Sequence, residues 1–130
     1  MAVWQYDLTM SPSGETQVLQ VCEELDHRFK ELDSWSEEVR TWGSMDGNRI
    51  DYLKDDGSEL FRVRIDLREP SVDFMKTVLV LANRWSMTLE DDDGNELRPN
   101  LEDLVSNLKS SDAYRFVTNP KKFLDEIAKK

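Results

Sequence analysis

The chain has 130 residues, 38% of them apolar and 34% charged, with a formal net charge of −10. That length fits one domain, residues 1–130, able to bury a core without a metal or disulfide staple. The acidity disfavours nucleic acid and anionic membrane as partners, because phosphates are repelled, and favours a basic protein.

The charge is uneven. Residues 1–60 hold 14 acidic and 5 basic side chains, 61–84 hold 3 and 5, 85–104 hold 7 and 1, and 105–130 hold 3 and 6. The last group includes Lys121, Lys122, Lys129 and Lys130, a basic patch on an acidic body. Cys22 is the single cysteine, so no intramolecular disulfide forms and a reducing cytoplasm is the expected compartment. The first residues lack the pattern of a signal peptide. The longest apolar run, Val78 to Ala82, is too short to span a bilayer.

In chain order, residues 3–10 alternate, with Trp4, Tyr6, Leu8 and Met10 on one face, and predict a half-buried strand. Ser11-Pro12-Ser13-Gly14 breaks it. Residues 15–32 predict a helix whose stripe is Val18, Val21, Cys22, Leu25, Phe29 and Leu32. The connection after it holds Ser34 and Glu37, spaced as a capping box, but no long apolar stripe follows.

Two Asp-Gly pairs follow, Asp46-Gly47 and Asp56-Gly57, each between plausible strands. Two-residue turns at both would set Tyr52 opposite Phe61, Ile50 opposite Val63, Asp51 opposite Arg62, Arg49 opposite Arg64, and Trp42 opposite Asp51. The apolar set then shares one face with Ile65 and Leu67, and a one-residue slip would break it. The other face is expected to carry Trp42, Arg49, Asp51, Leu53, Leu60, Arg62 and Arg64.

Glu69-Pro70 ends that strand. Ser71 is placed to cap a helix over 72–84, with Asp73 favourable in its first turn. Trp85, Met87 and Leu89 alternate with polar residues as a strand, and Asp93-Gly94 turns it into a short return strand near Arg98-Pro99. Asn100 caps a helix carrying Leu101, Leu104, Val105 and Leu108. Ser111 starts a short helical piece with Ala113, Phe116 and Val117. Asn119-Pro120 opens a last helix with Phe123, Leu124 and Ile127. The order β-α-β-β-β-α-β-β-α-α predicts the α+β class, an antiparallel meander sheet with helices mainly on one face.

The chemistry-bearing residue types do not assemble into an enzyme. Asp91 to Glu96 looks like half a calcium loop, but Leu89 and Asn100 would fall at the first and last ligand positions, and strands flank it. A charged hairpin turn is expected there. His27 has Glu23 and Glu31 one turn either side, too few ligands for zinc. Cys22 and His27 point to different helix faces, so the thiol is expected to be an inert core group. No nucleophile elbow, phosphate loop or dinucleotide fingerprint occurs, so no catalytic residue, metal or cofactor is assigned. The sharper feature is the face of Trp42 with Arg49, Asp51, Arg62 and Arg64, because an aromatic among arginines is typical of binding hot spots. The competing expectation is that the first strand, a helix or a dimer mate covers it.

Two resemblances bear on function. From residue 15 the order α-β-β-β-α-β-β-α is similar to that of type III secretion chaperones, and Thr77 to Trp85 looks like their central helix. That resemblance implies a dimeric module holding an extended segment of another protein. An extra leading strand over residues 2–10 and extra helical material after Ser110 depart from it. The C-terminal half resembles small bacterial proteins of the toxin-immunity type, on Arg64-Ile65-Asp66-Leu67-Arg68 and on Ser111 to Phe116 running through Asn119-Pro120 to Phe123-Leu124. That resemblance implies an acidic protein that captures a basic toxin. The expectation is therefore a non-enzymatic, cytoplasmic protein-binding domain, immunity-like, with a chaperone-like dimer and an enzyme with an unrecognised site as alternatives. Whether it is a monomer or a homodimer is left open.

Overall fold

The computed structural model describes residues 4–33, 39–55, 57–69 and 71–118. The expected basic tail, the last helix with Phe123, Leu124 and Ile127, and the Ser34–Glu37 capping box lie outside these residues.

The elements are β1 (Gln5–Ser11), α1 (Val18–Arg28), β2 (Glu31–Leu32), β3 (Val39–Gly43), β4 (Arg49–Asp55), β5 (Ser58–Asp66), α2 (Val72–Arg84), β6 (Thr88–Asp91), β7 (Glu96–Leu97), α3 (Leu101–Lys109) and α4 (Asp112–Thr118). The strands form one antiparallel sheet in the order β2-β3-β4-β5-β1-β6-β7. The α+β architecture and its element order are as expected, with the two-residue β2 added at one edge.

One sheet face supplies the core. Tyr6, Leu8 and Met10 of β1, Phe61, Val63 and Ile65 of β5, and Leu89 of β6 are buried against the helices. The apolar stripes of α1 (Val21, Cys22, Leu25), α2 (Met75, Val78, Leu79, Ala82) and α3 (Leu104, Leu108) close over them. The caps form as the sequence predicts: Ser71 Oγ accepts from Phe74 N, Asn100 Oδ1 from Asp103 N, and Ser111 Oγ from Tyr114 N.

Helix α1 is shorter than its 15–32 stripe. The chain leaves the helix at Phe29, which is extended with φ −137° and ψ 157°. Lys30 O then accepts from Gly43 N at 3.1 Å, and Glu31 and Leu32 pair with Trp42 and Thr41. Arg40 fixes the change by binding both Glu31 oxygens, at 2.9 and 2.7 Å. Backbone pairing along β3 thus overrides a helical period that continues in the side chains. Phe29 still reaches the core side, packing tilted against Phe74 at 5.7 Å between ring centroids.

The β4–β5 register is as expected, with Ile50↔Val63, Asp51↔Arg62, Tyr52↔Phe61 and Arg49↔Arg64. Asp55 pairs with Ser58 across positions 56–57, although Asp56 lies outside the described residues. The β3–β4 register differs by one. Residues 44–48 form a five-residue loop, closed by Ser44 N donating to Asn48 O and Gly47 N donating to Ser44 O. Gly43 turns into this loop at φ +104°, where a side chain would meet Asn48 O at 2.5 Å. Trp42 therefore pairs with Ile50, and Thr41 with Asp51.

Candidate functional site

Because side chains alternate along a strand, the one-residue shift in β3 sends Trp42 to the helix side. It is 0% exposed, and its Nε1 donates to Asp26 Oδ1 of α1 at 2.9 Å. The expected grouping of Trp42 with Arg49, Asp51, Arg62 and Arg64 is corrected: Trp42 is core, and the four charged residues lie on the opposite face of the sheet.

On that opposite face Val39, Thr41 and Asp7 are buried while Arg62 and Glu90 are exposed, and β1 organises it. Thr9 pairs with Arg62 on one side and Glu90 on the other, giving a level that runs Thr41, Asp51, Arg62, Thr9, Glu90, Glu96 from β3 to β7. One level along, Asp7 pairs with Arg64, which pairs with Arg49. Asp7, one of the few buried acids, meets Arg64 Nε at 3.2 Å. Arg49 meets Asp51 at 3.2 Å along β4. At the end of β5, Asp66 binds Arg68 through both carboxylate oxygens, and the Arg68 guanidinium stacks 4.3 Å over Trp4.

The β6–β7 side of this face is different. Glu90 and Glu96 are directly opposite each other, and both are exposed. Asp92, also exposed, follows in the turn. Burial pushes its carboxyl up from the ordinary range, and the negative charge of Asp7 adds to the rise while Arg62 opposes it. None of these three carboxylates forms an ion pair among the described residues, and neither does the exposed guanidinium of Arg62. The face is therefore two-sided: arginines on β4 and β5 with some neutralising acids, and unmatched carboxylates on β6, β7 and their turn.

By contrast, carboxylates on the helix side are already bound. Asp26 and Glu31 share Arg40, whose guanidinium also lies 4.8 Å over the Trp42 ring. Glu24 takes Arg28, Arg84 and the Trp85 indole N–H. Burial pushes the Glu24 carboxyl up, but those three hydrogen bonds outweigh it and hold it below its ordinary value.

The remaining sequence candidates are structural. Asp91 accepts from the backbone of Asp93 and Asn95 and from the side chains of Asn95 and Asn107, so it organises a hairpin turn. His27 is exposed, and Glu31 lies on β2 instead of one helical turn away. Among the described residues, no three His, Cys, Asp or Glu side chains are grouped to hold a metal ion. Cys22 is buried, and that burial raises its thiol to about 11.

Asp7, Glu90 and Glu96 were not singled out from the sequence. The signal was present in the outward positions of the first strand, Asp7 and Thr9, but only the β1–β5 and β1–β6 pairings bring them beside the arginines. Compared with family models, curated proteins and solved structures, the chain shows no significant match to any of the three.

Proposed function

We propose that this chain is a non-enzymatic protein-binding domain of the immunity type, which engages a basic protein through the exposed carboxylates of β6, β7 and the turn between them. The observation that supports this is the exposed, directly opposed pair Glu90 and Glu96, with Asp92 beside it. Like charges opposite each other in a sheet destabilise it. A partner presenting Lys or Arg to the pair would remove that repulsion on binding. The neighbouring Arg49, Arg62 and Arg64 would set the orientation of the partner, since they repel its basic groups and direct them to the β6–β7 side. The free thiol of Cys22 suits a reducing compartment, and the cytoplasm is the proposed location. No helix among the described residues is long and apolar enough to cross a membrane.

The test is affinity capture from lysate of the source cells with the native chain and with a Glu90→Lys/Glu96→Lys variant. The expected result is one predominant basic protein held by the native chain, released as salt is raised and not retained by the variant. Retention that is indifferent to both charge reversal and salt would refute this reading.

A further inference from the structure

We propose that the chain after α4, residues 119–130, covers the sheet face opposite the helices, from Val39 and Thr41 on β3 to Asp7 on β1. That face is screened from solvent at both ends of this span. Val39, Thr41 and Asp7 are 5%, 3% and 6% exposed. Between them, Arg49 Nε and Asp51 Oδ1 on β4 are buried as well. The apolar residues of α1, α2, α3 and α4 are taken up by the core on the other side of the sheet. The cover therefore comes from outside the described residues. It has to bridge β3 to β1, three strands apart in the sheet, which is about 14 Å at the spacing of paired strands.

Length selects the segment. Asp56 and Pro70 are single residues. Residues 34–38 are tied at both ends to β2 and β3 and stand out about 10 Å at most, short of Asp7. Residues 1–3 start at Trp4, beside β1, and fall short of Val39 by the same measure. As the helix that Asn119-Pro120 opens, residues 120–130 are about 16 Å long, which matches the span. Helix α4 lies against β1, so the chain leaves Thr118 beside the Asp7 end. Phe123, Leu124 and Ile127 share one stripe of that helix. The stripe suits the row Val39, Leu53, Leu60, which the register aligns across β3, β4 and β5 on the covered face. Four lysines against two acids give residues 119–130 a charge of +2 beside a remainder of −12, so attraction favours the docked position. Glu90, Asp92 and Glu96 stay exposed, so this inference stands or falls separately from the proposed function.

Nuclear Overhauser contacts in the native full-length chain test this. Phe123, Leu124 and Ile127 are expected to show contacts to the methyl groups of Val39, Thr41, Leu53 and Leu60. In an equal mixture of differently labelled chains, those contacts are expected within single chains. In a Phe123→Ser/Ile127→Ser variant they are expected to be lost, and the Val39 and Thr41 methyl signals to shift. The signals of Val78 and Leu104, in the core under the helices, are expected to stay in place and so verify the fold. Contacts of the three side chains to α1 or α2, or no contact to the sheet, overturn the proposal. So do contacts from Trp35 in their place, or contacts seen only between chains, which would make a second copy the cover. Val39 and Thr41 signals that do not move in a folded variant overturn it as well. If the variant does not fold, the contacts in the native chain decide alone.

Discussion

The indole N–H of Trp42 donates to Asp26 Oδ1 at 2.9 Å, which ties strand β3 to helix α1 across the buried side of the sheet. The Trp42 ring is fully enclosed, while the Asp26 carboxylate reaches it from the exposed side of α1. Trp42→Ala is expected to cost about 3–5 kcal/mol, from the cavity and the lost transfer energy. Trp42→Phe retains much of the volume but loses the bond to Asp26, a smaller cost of about 1 kcal/mol beyond the volume change. Chemical denaturation of the two variants checks the order. A native-like unfolding midpoint for Trp42→Ala would contradict the buried position.

The loop that moves Trp42 inward makes its own prediction. Gly43 sits at φ +104°, and a Cβ there would lie 2.5 Å from Asn48 O. Gly43→Ala combines that clash with left-handed strain of about 1–3 kcal/mol, so a loss of about 2 kcal/mol or more in stability is expected. Gly57→Ala, also at positive φ but with nothing within 4 Å, is expected to be milder. Thermal melts of the pair separate clash from strain.

These two positions show what was legible. The β4–β5 register could be read because the apolar alternation of Ile50, Tyr52, Phe61 and Val63 and the second Asp-Gly pair agree on one answer. At the first Asp-Gly pair the strands on either side carry no such constraint. Thr41, Trp42 and Gly43 alternate acceptably in either register. The five-residue loop is chosen by distant bonds: Asn48 accepts from Asp66 N and donates to Glu69 O. No pattern local to residues 42–50 encodes that. Likewise, the stripe through Phe29 and Leu32 is truly apolar, but the edge of β3 recruits the chain after Arg28. The arginines of the candidate site were legible, and their carboxylate neighbours on β1, β6 and β7 were not, because those contacts join strands far apart in sequence.

Acid is expected to unfold the protein through several bound carboxyls. The Arg68 guanidinium holds Asp66 below the ordinary aspartate range, the Trp42 indole does so for Asp26, and Arg40 for Glu31. A carboxyl whose folded pKa lies below its unfolded value adds stability that is present above the unfolded pKa, about 4, and lost as pH falls through the folded one. Stability is therefore expected to be level from neutral pH to about 5 and to fall below about 4. Asp66→Asn is expected to lower stability at pH 7 and flatten part of that fall. Urea midpoints measured across pH for both chains check it; identical slopes would contradict the assignment.

Cys22 and Tyr52, with Tyr6, which burial also raises, contribute on the alkaline side. Burial raises the Cys22 thiol to about 11, and burial together with the hydrogen bond to Glu59 pushes Tyr52 up to about 12. The folded chain is thus expected to react slowly with iodoacetamide at pH 8 and fast in denaturant, because the thiolate is the nucleophile. Groups raised on folding add stability that is complete below their unfolded pKa and lost as pH climbs through the folded one. A decline in stability that begins above about pH 8.5 is the expected result. Native-state labelling as fast as that of unfolded protein would place the thiol at the surface.

Asp92 distinguishes a surface shaped for binding from one shaped for folding. Its carboxyl is raised by burial and then by Asp7, so its ionised form is disfavoured in the folded state. The same linkage gives it the opposite sign from Asp66: the stability associated with Asp92 is complete below its unfolded pKa of about 3.9 and is lost as pH rises through the folded value. At neutral pH the charge is therefore a liability, and Asp92→Asn is expected to raise the melting temperature slightly. The gain should vanish near pH 3, where both chains are neutral at this position. If the exposed carboxylates of β6, β7 and their turn capture a basic partner, the same substitution should weaken that capture, since it removes one of them. Higher stability with weaker binding would identify Asp92 as a residue retained for the partner. Lower stability at pH 7 would show instead that the carboxylate supports the fold.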